Sequence, residues 1–239
     1  MDDGARRAQL AASLAEVGER IGRACAEAGR PAGEVTLTAV TKTYPASDVL
    51  LLAGLGVTDV GENRDQEAAP KAAEVRAAGV ELRWHYIGQL QRNKAKSVAA
   101  YADVVESVDS VRLAAALGRA AADRERPLDV LIQVSIDGDP ERGGAAGDDL
   151  GRISDAVASA TGLRLRGLMA VAPLGWEPDR AFARLAEIRS ALLAVHPEAT
   201  VLSAGMSGDL EAAVAAGATV VRVGTALFGS RPLASGETT

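Results

Sequence analysis

An eight-unit (β/α) barrel with an extra N-terminal helix is the fold this sequence predicts, on three observations. Short β-branched apolar runs alternate with alanine-rich helical stretches across residues 34–229. Eight such units fill about 210 residues, the count that closes a barrel of parallel strands. The alternation meets no linker, low-complexity segment or composition shift, so one domain accounts for the 239 residues. A doubly wound open sheet is the alternative.

Residues 1–30 read as an amphipathic helix, with Leu10, Leu14, Val17, Ile21 and Cys25 spaced three to four apart. "AGRPAG" then breaks it with glycine and proline. The strand candidates are 34–41, 57–61, 83–88, 103–108, 128–136, 164–171, 200–205 and 219–224. Helices are expected at 46–54, 64–78, 110–123, 147–160, 178–194 and 208–216. Right-handed crossovers between parallel strands place those helices outside the barrel.

Composition narrows the partners. Hydrophobic residues make up 48% and charged residues 24%, which suits a soluble protein with a sizeable core. A net charge of −6 gives no basic footprint for nucleic acid or an anionic membrane. The single cysteine, Cys25, cannot form an internal disulfide and reads as packing. "MDDGARRAQL" lacks the apolar core of a signal peptide, and no run nears the ~18 residues that cross a bilayer. A cytoplasmic address follows, with a monomer or weak homodimer as the expected state.

In such a barrel, ligand chemistry gathers at the C-terminal ends of the strands. Lys42, in "TAVTKTYP", ends the first strand on the same side as Thr38 and Val40. It is a phosphate or carboxylate partner, a desolvated amine able to form a Schiff base, or a lysine that snorkels to water. "GEN" at residues 61–63 offers Glu62 and Asn63 to a ligand or as a cap for the next helix. His85 reads as a satisfied packing residue, and His196 sits in a loop. "LSAGMSGDLEAAVAAG" leads through Gly205, Met206 and Ser207 into a helix expected near Ser207, an arrangement that suits an anion. The last strand, "VVRVGTALFG", carries Arg222 on one face and ends in Gly224 and Thr225.

Closure makes the first strand a neighbour of the eighth, so Lys42 and "RVGT" share one mouth. An amine, a phosphate cradle and an arginine are the inventory for pyridoxal 5′-phosphate. Lys42 would take the aldehyde as a Schiff base, Ser207, Gly224 and Thr225 the phosphate, and Arg222 the pyridine nitrogen. A barrel binding an unrelated sugar phosphate, with Lys42 as a phosphate contact, is the plainer alternative.

With these residues in hand, the chain resembles the pyridoxal phosphate homeostasis protein family. The resemblance rests on "AVTKTYP", "GENRDQE", "WHYIGQLQRNK", "SVDS", "LIQVSI", "RGLMAV", "LSAGMSGDLEAAVAAG" and "VRVGTALFG". It implies a barrel like the N-terminal domain of alanine racemase, with Lys42 as the Schiff-base lysine and Asn63 beside the cofactor ring. It further implies Met206, Ser207, Gly224 and Thr225 at the phosphate and Arg222 at the ring nitrogen. Thr41, Arg64, Gln89, Arg142 and Ala204 depart from the family's usual serine, tyrosine, histidine, lysine and methionine.

The expected function is to hold pyridoxal phosphate and buffer it or deliver it to apoenzymes without turnover. An amino-acid racemase or decarboxylase is the alternative. Racemases of this fold add a β-rich second domain, whereas this chain ends at Thr239 soon after its last strand. An arginine at the ring nitrogen also keeps its own proton and leaves the ring a weaker electron sink.

Overall fold

The alternation resolves into eight parallel strands in sequential order, and β8 pairs back onto β1 to close the barrel. The structure, a computed structural model, describes residues 3–139, 143–146 and 149–229. The strands are β1 (Thr36–Val40), β2 (Asp59–Glu62), β3 (Arg83–Tyr86), β4 (Val104–Val108), β5 (Leu128–Gln133), β6 (Leu163–Met169), β7 (Val201–Ser203) and β8 (Val220–Val223). Around them run α1 (Asp3–Glu27), α2 (Ala46–Ala53), α3 (Asp65–Ala77), α4 (Ala95–Tyr101), α5 (Val111–Ala121), α6 (Asp149–Ala158), α7 (Pro178–Val195), α8 (Leu210–Ala215) and α9 (Thr225–Phe228). The open-sheet alternative is thereby excluded.

The apolar stripe of α1 behaves as its spacing predicts. Leu10, Val17, Ile21 and Cys25 are buried and Leu14 partly so, against the α8, α9 and α2 side of the barrel. Helix α5 shows the same logic, burying Leu113, Ala114, Leu117 and Ala121. The Ser110 hydroxyl caps it by accepting the Leu113 N–H at 3.3 Å.

Several boundaries differ from expectation. Residues 32–34 form a 3-10 turn, so β1 starts at Thr36. Expected strands 83–88, 128–136 and 200–205 stop at Tyr86, Gln133 and Ser203, where the chain leaves the ladder for the mouth loops. Helix α8 begins at Leu210 rather than near Ser207. Helices α4 and α9 are additional. Each is short, and each follows a segment whose charge or glycine content reads as loop. Arg142, the start of the helix expected from 147, and residues 230–239 lie outside the described residues. Among the described residues no helix is long and apolar enough to cross a membrane.

Strand alternation sorts the side chains. Leu37, Ala39, Val221 and Val223 point out to join the main apolar core beneath the helices. The inward positions are unusually polar for a barrel whose interior is commonly branched aliphatic. Thr38, Asp59, His85, Glu106, Ser203 and Arg222 are all buried there. Val104, Leu131 and Met169 form a small separate apolar cluster.

Candidate cofactor-binding site

At the C-terminal mouth a cavity of about 280 Å³ opens between β1 and β8, at the small end of the ~300–1,000 Å³ usual for ligand pockets. Lys42, Met206, Ser207, Arg222, Gly224 and Thr225 line it, joined by Val40, Tyr44 and Ile87. Six of the seven sequence-derived residues therefore meet in one cavity. Asn63, just past β2 at the same mouth, is not part of the lining; its carbonyl accepts the Tyr86 hydroxyl at 3.3 Å.

The backbone around Lys42 is tightly held. Thr41 donates its N–H to Gly61 O at 3.0 Å, extending the ladder past β1. The Thr41 hydroxyl donates to Glu62 Oε1 at 2.7 Å, and Lys71 Nζ bonds both that oxygen at 2.6 Å and Thr41 O at 2.9 Å. Thus Glu62 neither caps α3 nor faces the ligand, but anchors the residue before Lys42. On the other side, Thr43 sits at φ 71°, a left-handed conformation uncommon for a non-glycine residue.

The opposite wall is braced by residues far away in sequence. Ser207 Oγ accepts the Ala226 N–H at 3.1 Å, tying the loop after β7 to α9. Arg20 of α1 donates to Ser207 O at 2.9 Å while pairing with Glu211 at 2.7 Å. The Met206 N–H is already taken by Asp209 Oδ1 at 2.6 Å. The Tyr44 ring stacks on Phe228 with centroids 4.0 Å apart, and the Arg6 guanidinium lies over both rings.

Gly205 gives this wall its path, at φ 90°. A Cβ there would stand 2.6 Å from Ala213 Cβ and 3.1 Å from Leu210 Cα. Gly205→Ala is expected to cost ~2–3 kcal/mol in urea unfolding, from strain and overpacking together. A loss within ~0.5 kcal/mol, the range of an ordinary surface change, would mean the loop yields without strain.

Below the cavity, Arg222 belongs to a buried polar chain that crosses the barrel. Its Nη1 donates to Ser203 Oγ at 2.6 Å and its Nη2 to Ala170 O at 2.8 Å. Ser203 Oγ donates to Glu106 Oε2 at 2.6 Å, and Glu106 Oε1 lies 2.6 Å from His85 Nδ1. His85 Nε2 lies 2.9 Å from Asp59 Oδ1. With a carboxylate at each ring nitrogen, both donate and His85 is a cation. Burial alone would lower its pKa, but Asp59 and Glu106 raise it to about 9. Burial pushes Glu106 up, and His85, Arg222 and Ser203 more than reverse this, leaving it below the ordinary carboxylate value. Burial pulls Arg222 below its ordinary value against the attraction of Glu106 and Asp209. His85 is thus the satisfied residue the sequence suggests, though satisfied by charge.

Among the departures, Arg64 is exposed and pairs with Glu67 at 3.2 Å. Gln89 lines a separate groove of about 750 Å³ with Arg92 and Arg112.

Comparison with known proteins adds the lineage. The sequence pattern of the family described as alanine racemase, N-terminal domain, matches residues 14–232. The pyridoxal phosphate homeostasis protein of Mycobacterium tuberculosis H37Rv is 46% identical over 247 residues, covering 96% of each chain. That of Escherichia coli K12 is 40% identical over 226 residues, covering 93% of this chain and 97% of its own. The chain belongs to the pyridoxal phosphate homeostasis protein family. PipY of Synechococcus elongatus PCC7942, solved with pyridoxal phosphate bound, matches this family member at TM-score 0.80 and 36% identity. That match covers 92% of this chain and all of PipY, 100%. Alanine racemase from Corynebacterium glutamicum shares the fold at TM-score 0.69 but only 16% identity, with 63% of its length matched.

Proposed function

We propose that this protein retains pyridoxal 5′-phosphate on Lys42 and serves cofactor homeostasis, holding the cofactor and passing it to apoenzymes without turning substrate over. One observation carries the reading: a single cavity gathers Lys42, Arg222, Ser207, Gly224 and Thr225 from both ends of the chain. Support comes from the relatives named for pyridoxal phosphate homeostasis and from PipY with the cofactor bound.

The residues fit the group chemically. Pyridoxal phosphate supplies an aldehyde that condenses with a lysine amine, releasing water, and so becomes covalently tethered. Lys42 provides that amine on a backbone gripped by Glu62 and Lys71. Ser207, Gly224 and Thr225 offer hydroxyls and close backbone approach for a phosphate, with Met206 on the same wall. Arg222 is a fixed donor for a ring nitrogen and cannot take up a proton from it. Asn63, just past β2, would lie beside the cofactor ring. The setting proposed for this exchange is the cytoplasm, with the protein a monomer or weak homodimer.

The test measures retention, transfer and turnover together. Protein loaded with the cofactor and gel-filtered should stay yellow and restore activity to an apo form of a pyridoxal phosphate enzyme. Chirally resolved amino-acid assays should show no racemisation above background. Robust turnover that follows the loaded protein would replace the carrier reading with the racemase one.

A further inference from the structure

The opposite end of the barrel has its own charge pattern, unused by the upper cavity. The N-terminal ends of barrel strands ordinarily serve stability. Here Arg83 of β3, Arg164 and Arg166 of β6, and Arg124 and Arg126 before β5 line one groove of about 540 Å³. The carboxylates in that wall are Glu81, Asp103 and Asp129. Five arginines thus line the groove with three carboxylates, on a chain whose net charge is −6, and of the five Arg124 is committed to the Ala99 and Arg126 carbonyls.

Those carboxylates are largely committed. Asp103 Oδ2 accepts the Trp84 N–H at 2.9 Å. Asp129 is buried; its Oδ1 accepts from Arg164 Nε at 2.6 Å and its Oδ2 from Arg83 Nη2 at 2.7 Å. Arg166 holds Asp129 only loosely. Its Nε makes an ion pair with Asp129 Oδ2 at 3.9 Å, too long for a hydrogen bond, and has no hydrogen-bond partner among the described residues, while the side chain as a whole stays 37% exposed. A loosely paired, part-exposed arginine of this kind can take an acceptor from outside the chain.

A bulge puts Arg166 there. Val130 pairs with Leu165 and Leu131 with Gly167, so Arg166 is the extra residue on β6. Bulges re-aim side chains at sheet rims. Gly167 makes this one possible, since at φ 150° a Cβ would stand 1.8 Å from Val201 O. Arg83, Arg166 and His85 also line an inner cavity of about 210 Å³, with Thr36, Thr219 and one carboxylate, Glu34, which is paired with Arg30 at 3.3 Å. The inner cavity shares no lining residue with the one around Lys42.

We propose that this N-terminal mouth is a second binding site, for a phosphate-bearing small molecule. The phosphoryl group would enter the inner cavity between Arg83 and Arg166, and the rest of the ligand would lie in the arginine-lined groove. Guanidinium forks match phosphate oxygens two at a time, and a phosphate has oxygens enough for Arg166 and Arg83 without displacing Asp129. The inference is independent of what Lys42 binds.

The experiment is a titration of the intact protein followed through the Arg83 and Arg166 side-chain Nε–Hε resonances. Their assignment comes from Arg83→Lys and Arg166→Lys. The probes are inorganic phosphate and adenosine monophosphate, with sodium chloride at matched ionic strength as control. Both resonances should shift saturably with the phosphate probes and not with chloride, and Arg166→Lys should weaken binding about tenfold. Tighter binding of the nucleotide supports a phosphorylated metabolite as occupant, and equal binding supports free phosphate. Shifts that never saturate, or that chloride reproduces, overturn the proposal. Where a variant folds poorly, triple-resonance assignment of the wild type supplies its resonance, and the saturation result stands.

Discussion

Lys42→Ala is expected to lose all borohydride-fixed cofactor, while wild type carries one pyridoxyl label on the peptide containing residue 42. Of the side chains lining the upper cavity, Lys42 alone carries an amine. Lys71, the nearest alternative in the sequence, is buried with Glu62 and the Thr41 carbonyl and does not line the cavity. Lys42→Arg separates two roles that alanine removes together. A guanidinium keeps the positive charge but stays protonated and cannot form the covalent link. If Lys42 acts only as a phosphate contact, arginine should preserve retention through gel filtration. If it is the tether, arginine should lose the label as completely as alanine and leave only weak binding. Label appearing on another lysine of Lys42→Ala in wild-type yield would remove Lys42 from the role.

The two halves of the site differ in how far the sequence exposes them. Lys42, Ser207, Gly224 and Thr225 are legible because each lies in the short segment just past a strand end, where residue type speaks for itself. Their convergence needs only closure of β1 on β8, which the strand count predicts. Asn63 shares the strand-end signal but is not among the residues lining the cavity.

The support beneath Arg222 is not legible in the same way. Asp59, His85, Glu106 and Ser203 lie on four strands, and only the closed barrel gives them a common interior. A signal does exist. Each is a polar residue at an inward position of an otherwise apolar run, as "DVVESV" places Glu106. The clamp of Lys71 on Thr41 is hidden for a related reason. On α3 alone, Lys71 reads as one more surface charge, and only packing against β1 and β2 shows it buried. Helix α4 escapes because "QRNKAK" reads as a charged loop until the alanines after it pack on α5 and α3.

That interior chain leads to the remaining large effect. Glu106 is fully buried and faces two cations, His85 at 2.6 Å and Arg222 at 3.8 Å. Glu106→Ala would leave Arg222 without a carboxylate, His85 with Asp59 alone, and the Ser203 hydroxyl without its acceptor, all away from water. Breaking a buried pair by removing one partner costs about 3–5 kcal/mol. The variant should also lose cofactor affinity, because Ser203, which fixes Arg222 Nη1 at the cavity floor, loses its acceptor. The titration of wild type has a defined sign. His85 is raised from 6.5 to about 9, so its contribution is complete below pH ~6.5 and drains away as pH rises through ~9. Asp59 and Glu106 are lowered, so theirs is present above their unfolded values near ~4 and is lost as pH falls through the lowered ones. Thermal or urea unfolding should therefore show a plateau between about pH 5 and 6.5, with a fall of roughly 3 kcal/mol on the alkaline side. His85→Gln should be less stable on the plateau and lose that alkaline slope. A slope that survives His85→Gln unchanged would assign it to other groups and break the link between the chain and the barrel's stability.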